Sequence, residues 1–209
     1  MLDKTIKPLS FLVLLMMAIV ANAEQTPVMQ LKSFLASTAS LTADFKQVVL
    51  NESGQAEQTS EGAFFLSRPG KFRWSYKKPF IQEIISSAGK VWFYDADLEQ
   101  VTIKKLDDSL GATPAMLLSG DIELEENFII QQQGIDEDLL WIKLSPKNED
   151  SGFKYILIGL SDGVLGGMEL SDNFGQLTRI YFSQVKINPK LESSVFEFTA
   201  PEGVDVFEN

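Results

Sequence analysis

The side chains that could carry chemistry are few in kind. The chain contains neither His nor Cys. That removes the commonest general base, the usual metal ligand, the usual partner of a nucleophile and any disulfide. Carboxylates remain. Asp95, Asp97 and Glu99 alternate as at the start of a calcium loop, but the glycine and distal glutamate of such a loop do not follow. Asp95 and Asp97 could pair as in a glycosidase, yet carboxylates at i and i+2 where a strand ends read as turn formers. Asp136-Glu137-Asp138, just after Gly134, reads as a solvated turn. No catalytic residue, cofactor or metal site is expected, and the chain is not expected to be an enzyme.

What is concentrated instead is aromatic surface. Phe72, Trp74 and Tyr76 alternate with Arg73 and Ser75, so a strand would put the three rings on one face. Phe64, Phe65, Trp92, Phe93 and Tyr94 lie close by in sequence. Arg68 shares the parity of Leu66 and stands immediately before a Pro69-Gly70 turn. If Leu66 faces inward, Arg68 does too, and a buried guanidinium needs acceptors for its donors. The free carbonyls at helix C-termini are suitable ones.

These residues need elements to position them. Thr26-Pro27 is an N-cap followed by proline at the first helical position, and Val28, Leu31, Phe34 and Leu35 recur at helical spacing to about Ser37. Thr113-Pro114 repeats that signal before the apolar Ala115-Met116-Leu117-Leu118, which ends near Gly120. Elsewhere the pattern is strand. Leu41–Leu50, the stretch 61–105 and most of the chain from Phe128 alternate with period two between turn signals, with Val195–Phe198 as the last strand. Residues 51–60 read as a polar hairpin connection. The fold class expected is mainly β with short α-helices: an incomplete, half-closed antiparallel β-barrel of about 11 strands. Its two short apolar helices need an apolar surface, and a helical lid over a hydrophobic cavity supplies one. Phe45, Phe64, Leu66, Phe72, Trp74, Tyr76 and Trp92 are the expected lining, with Met116 and Leu117 from the lid. Such an aromatic cavity under a lid is a ligand site.

Residues 1–23 stand apart. Lys4 and Lys7 precede the apolar run Leu9–Val20, and Ala21-Asn22-Ala23 is a cleavage signal. We expect a cleaved signal peptide over 1–23 and a single domain over 24–209. No Cys follows the signal to accept a lipid. The formal charge of −11 becomes −12 without Lys4, Lys7 and Asp3. So acidic a surface repels nucleic acid and anionic headgroups and favours solubility, so no nucleic-acid partner is expected.

The ordered series Gly62-x-Phe64-x-Leu66-x-Arg68-Pro69-Gly70-x-Phe72-x-Trp74-x-Tyr76, then Gly89-x-x-Trp92-x-Tyr94-Asp95, Thr113-Pro114-x-x-Leu117-Leu118 and Phe196-Glu197-Phe198-Thr199-x-Pro201-x-Gly203 resembles the LolA family. The resemblance implies the same incomplete barrel with a helical lid. It implies a monomeric periplasmic carrier that takes acylated outer-membrane lipoproteins from an inner-membrane ABC transporter. The carrier would shield their acyl chains and deliver them to a LolB-like outer-membrane receptor. It also implies that the arginine of the Arg-Pro motif bonds lid carbonyls, which places Arg68 against Leu35 and against Leu118 and Ser119. An alternative is a lipid- or lipoprotein-sensing regulatory module of the same fold.

Overall fold

The computed structural model describes residues 26–106, 114–119, 124–148 and 151–208, leaving aside the side chains of 114–116. The expected signal peptide lies outside the described residues, as does the side chain of Met116. Helix α1 spans Pro27–Ser37. Thr26 caps it with an extended backbone, its hydroxyl accepting from the Met29 amide at 3.3 Å. Strands β1 (Ser40–Leu50), β2 (Ala56–Ser67), β3 (Lys71–Lys78), β4 (Gln82–Ser87), β5 (Lys90–Asp95) and β6 (Gln100–Lys105) follow as an antiparallel meander. Next come α2 (Pro114–Ser119) and the single turn α3 (Leu124–Asn127). A second meander holds β7 (Phe128–Asp136), β8 (Leu139–Pro146), β9 (Phe153–Ser161), β10 (Val164–Asp172) and β11 (Leu177–Ile187).

Pairing of β11 with β1 joins the two meanders into one sheet ordered β12-β6-β5-β4-β3-β2-β1-β11-β10-β9-β8-β7. Its edges, β12 and β7, do not meet, so the barrel stays open. Among the described residues the sheet holds twelve strands, where about 11 were expected. One strand that was not expected is β12 (Asp205–Glu208), which lies parallel to β6. The expected strand at Val195–Phe198 is instead a 3-10 turn over Ser193–Phe196. Residues 51–60 are only partly a connection, since β2 already starts at Ala56.

The register assigns the two faces. Phe45, Phe64, Trp74 and Phe182 point the same way on β1, β2, β3 and β11, and so do Met168, Ile158 and Ile142 on β10, β9 and β8. All of them are buried with Leu31 and Phe34 of α1 and with Leu117 and Leu118 of α2 in one apolar cluster. Helix α1 is tied to β1 at its C-terminal end, while its body packs on β7 and β8. Along the sheet β8 is four strand spacings from β1, roughly 19 Å. An 11-residue helix is only about 16 Å long. The helix is thus a chord across a curled sheet, and this inner face is its concave side.

The outer face has its own cover. Arg73 Nε meets Glu83 Oε2 at 3.0 Å, Ser75 Oγ donates to the same oxygen at 2.6 Å, and Arg73 Nη1 donates to the Val195 carbonyl at 3.2 Å. That network fastens the C-terminal segment to β3 and β4, with Phe196 buried beneath it and Phe198 against Tyr94. Trp92 belongs to this side. It faces Ile85 and Ile103 across β5, and Ile85 faces Arg73. The expectation that Trp92 lines the inner cavity is therefore corrected: alternation sends Val91 and Phe93 inward and Trp92 and Tyr94 outward.

Candidate functional site

The inner aromatic face is built on three adjacent strands. Phe72 and Trp74 of β3 sit opposite Leu66 and Phe64 of β2, and Phe64 sits opposite Ala43 of β1. Trp74 is the centre: its ring centroid lies 4.7 Å from Phe64, 4.9 Å from Phe45, 6.1 Å from Phe182 and 6.5 Å from Tyr76. Tilted and edge contacts at these distances suit aromatic quadrupoles. Phe72 is 0% exposed and Trp74 2%. The face is thus filled by its own rings and by the covering helices.

Gly62 makes the arrangement possible. It sits between Phe45 and Tyr76 in the register, and a Cβ there would lie 1.9 Å from the Ser75 carbonyl oxygen and 2.8 Å from the Phe45 ring. Tyr76 closes the group, edge-on to Phe45 at 5.1 Å, with its hydroxyl 3.1 Å from Gln47 Oε1. Burial pushes the Tyr76 phenol up to about 12, a shift that the bond to Gln47 only partly offsets. The indole N–H of Trp74 is buried with no hydrogen-bond acceptor among the described residues.

Polar contacts fasten the helices over this face. Arg68, one residue past β2, donates from Nε to the Leu118 carbonyl at 2.8 Å and from Nη1 to the Leu35 carbonyl. One side chain therefore joins α1 and α2. Beside it the Gly70 amide donates to the Ser119 carbonyl at 2.8 Å, so the 68–70 turn satisfies consecutive carbonyls at the end of α2. Arg68, Leu35, Leu118 and Ser119 thus lie together in space. Leu117 packs in the same apolar cluster from the helix side. Residues outside the sequence reading join them. Asn188 Nδ2 donates to the Ser37 carbonyl at 2.9 Å, and its Oδ1 accepts from the Ala39 and Ser40 amides at 2.7 and 3.2 Å. Asn188 takes φ +54°, and the Asn188-Pro189 pair was the sequence signal for a tight, non-repetitive backbone there. On the far side Lys32 of α1 pairs with Glu125 of α3.

Two further features are polar or open. Asp95 turns back on its own loop, its Oδ1 accepting from the Asp97 and Leu98 amides at 3.0 and 3.1 Å. A cleft of about 870 Å³ lies between α1 and the turns joining β7 to β8 and β9 to β10. Phe34 and Leu160 of the apolar cluster line it, with Ile135, 76% exposed, among its other residues.

A single unclosed sheet curled round an aromatic face, with short helices fastened over it by hydrogen bonds to their carbonyls, defines a half-barrel protein with a helical cover. The chain belongs to the LolA family: residues 36–199 match the family model described as "Outer membrane lipoprotein carrier protein LolA". It is 59% identical over 189 residues to the outer-membrane lipoprotein carrier protein of Methylococcus capsulatus, covering 90% of this chain and 91% of that one. To the protein of the same name from Nitrosospira multiformis it is 43% identical, covering 89% and 90%. Among solved structures the fold is shared with an uncharacterized conserved protein from Thermus thermophilus, at TM-score 0.55 and 12% identity, over 87% of this chain and 96% of that one. It is also shared with a putative outer membrane lipoprotein-sorting protein domain from Vibrio parahaemolyticus, at TM-score 0.50 and 13% identity, over 80% and 94%.

Proposed function

We propose that this protein is a non-enzymatic periplasmic carrier of acylated outer-membrane lipoproteins, exported by the signal peptide at 1–23 and working as one monomeric domain over 24–209. The observation that carries the reading is the covered aromatic face of a LolA-family chain. A lipoprotein's acyl chains expose many methylenes, each worth about 0.8 kcal/mol when buried. Such a cargo does not cross an aqueous compartment alone. Here Leu31 and Phe34 of α1 and Leu117 and Leu118 of α2 occupy apolar surface that hydrocarbon could take over. Displacing them breaks the Arg68 bonds to Leu35 and Leu118, and releasing the cargo restores them. The cover thereby competes with the cargo, which permits both loading and handover.

In this reading Phe45, Phe64, Leu66, Phe72, Trp74 and Tyr76 receive acyl chains once the cover moves. Arg68 is the latch, with Leu35, Leu118 and Ser119 as its counterpart. An inner-membrane ABC transporter loads the carrier and a LolB-like outer-membrane receptor unloads it. The test is reconstitution. Proteoliposomes holding a lipoprotein exporter and a lipoprotein are incubated with ATP and the protein from Glu24 onward. A soluble one-to-one complex with lipoprotein is expected; cargo that stays with the membrane in its presence would refute the reading.

A further inference from the structure

Trp74 buries a hydrogen-bond donor where none is needed for packing. Its ring packs against Phe45, Phe64 and Phe182 in a side chain 2% exposed, and its buried indole N–H has no acceptor among the described residues. An unmet buried donor destabilises a fold. Phenylalanine would fill much of the same space without that cost. On the same strand face the Tyr76 hydroxyl is engaged with Gln47, and the Ser86 hydroxyl with the Gly70 carbonyl.

We infer that the Trp74 N–H is the donor that receives an acyl carbonyl of the bound cargo. The inference rests on the carrier reading. Acyl chains attached through esters or an amide bring carbonyl oxygens with them. Drawn toward an aromatic face, such an oxygen loses its water and needs a donor. Across β1 to β3 and β11 this face presents Leu41, Ala43, Phe45, Leu66, Phe72 and Phe182, which offer none, beside Tyr76 and Gln47, which bond each other, and Ser60. Trp74 stands at their centre, opposite Phe64 and Ile84, on one of the two strands against which α2 packs. Among the described residues the helices supply hydrocarbon to the face but no acceptor to the indole; with these groups the closed form leaves the donor unmet, and the loaded form satisfies it. The bond fixes how deep the acyl chain sits: the carbonyl stops at Trp74 and the hydrocarbon continues along the inner face.

The experiment uses the protein from Glu24 onward and three synthetic lipopeptides. One is an S-glyceryl-cysteine peptide with two ester-linked palmitoyl chains and an N-palmitoyl amide. The second replaces both esters by ethers, and the third replaces the amide-linked N-palmitoyl by a hydrocarbon chain of the same length, so that each analogue keeps its hydrocarbon and loses only carbonyls. Loss of the relevant carbonyl is expected to weaken binding to wild type by about three- to tenfold, the span of one neutral hydrogen bond. The arm that shows the loss identifies ester or amide as the source. Trp74→Phe is expected to bind all three without that discrimination. Discrimination is a ratio within each variant, so moderate destabilisation of Trp74→Phe does not blur it. A second reading needs no variant: of the three indole N–H signals in a nitrogen-15 spectrum, that of Trp74 is expected to move downfield on adding the full lipopeptide and less with the analogue lacking its carbonyl. Equal binding of all three lipopeptides to wild type, or discrimination retained in Trp74→Phe, overturns the inference and leaves the carrier intact. Failure of every lipopeptide to bind overturns the carrier reading itself.

Discussion

Arg68 Nε lies 2.8 Å from the carbonyl oxygen of Leu118, fifty residues further along the chain, while Nη1 of the same guanidinium bonds the Leu35 carbonyl. Two helices that cover one apolar face are therefore held by one planar cation. Its charge also complements the negative ends of both helices.

Replacing Arg68 by Leu removes both bonds. Each bond from a charged donor contributes about 1.5–3 kcal/mol. The cover should open more readily, so binding of an apolar dye to the free protein should rise. Loading with lipoprotein should persist, but handover should slow by tenfold or more, because release no longer restores the latch. Arg68→Lys, with a point donor in place of a planar fork, should retain part of the transfer rate. Separate loading and handover assays check this, and equal handover by wild type and Arg68→Leu would remove the latch from the mechanism.

Asn188 holds the other end of the cover through Ser37, Ala39 and Ser40. In Asn188→Ala those bonds go, and the left-handed backbone at φ +54° loses a residue type that tolerates it. Stability should fall by about 2–4 kcal/mol. Amide exchange at the end of α1 should accelerate more than exchange in β2 and β3. Uniform acceleration throughout the sheet would mean that Asn188 supports the fold as a whole and not α1 in particular.

Gly62→Ala should be among the most damaging single-methyl additions. The new Cβ would sit 1.9 Å from the Ser75 backbone oxygen, and no side-chain rotation relieves that contact. Overpacking of this kind costs about 1–3 kcal/mol or more. Gly89→Ala meets no atom within 4 Å and is strained only by its φ of +77°, so it should cost less. Urea unfolding of the two variants side by side decides the order.

The Tyr76 phenol ionises at about 12 in the folded protein against 10.0 for the free group. The folded state therefore holds its proton where the unfolded state has lost it. The sign follows: Tyr76 leaves stability unchanged below pH 10 and lowers it as pH rises from 10 to 12, by about 2–3 kcal/mol in all. Tyr155 and Tyr181 shift in the same direction and add to the loss. Chemical unfolding across that window should show the decline, and Tyr76→Phe should reduce it. A decline of the same size in Tyr76→Phe would assign it to the other tyrosines.

The sequence by itself determined what depends on neighbours along the chain. Period-two alternation separated Phe72, Trp74 and Tyr76 from Arg73 and Ser75, because a strand's backbone geometry is local. Thr26-Pro27 set the start of α1 through a cap that spans three residues. The motif from Gly62 to Tyr76 carried the family, and the parity of Arg68 with Leu66 pointed toward the helix ends. Tertiary structure decided which face of each strand is inner. Trp92 is as apolar as Trp74, yet the C-terminal segment covers its side of the sheet, and nothing within β5 encodes what arrives from about a hundred residues away. The pairing of β12 with β6, the grip of Asn188 on Ser37 and Ala39, and the lack of an acceptor for the Trp74 indole among the described residues are of the same kind. Each depends on which distant groups come within hydrogen-bond reach once the sheet has curled, and the curl is a property of all the paired strands together.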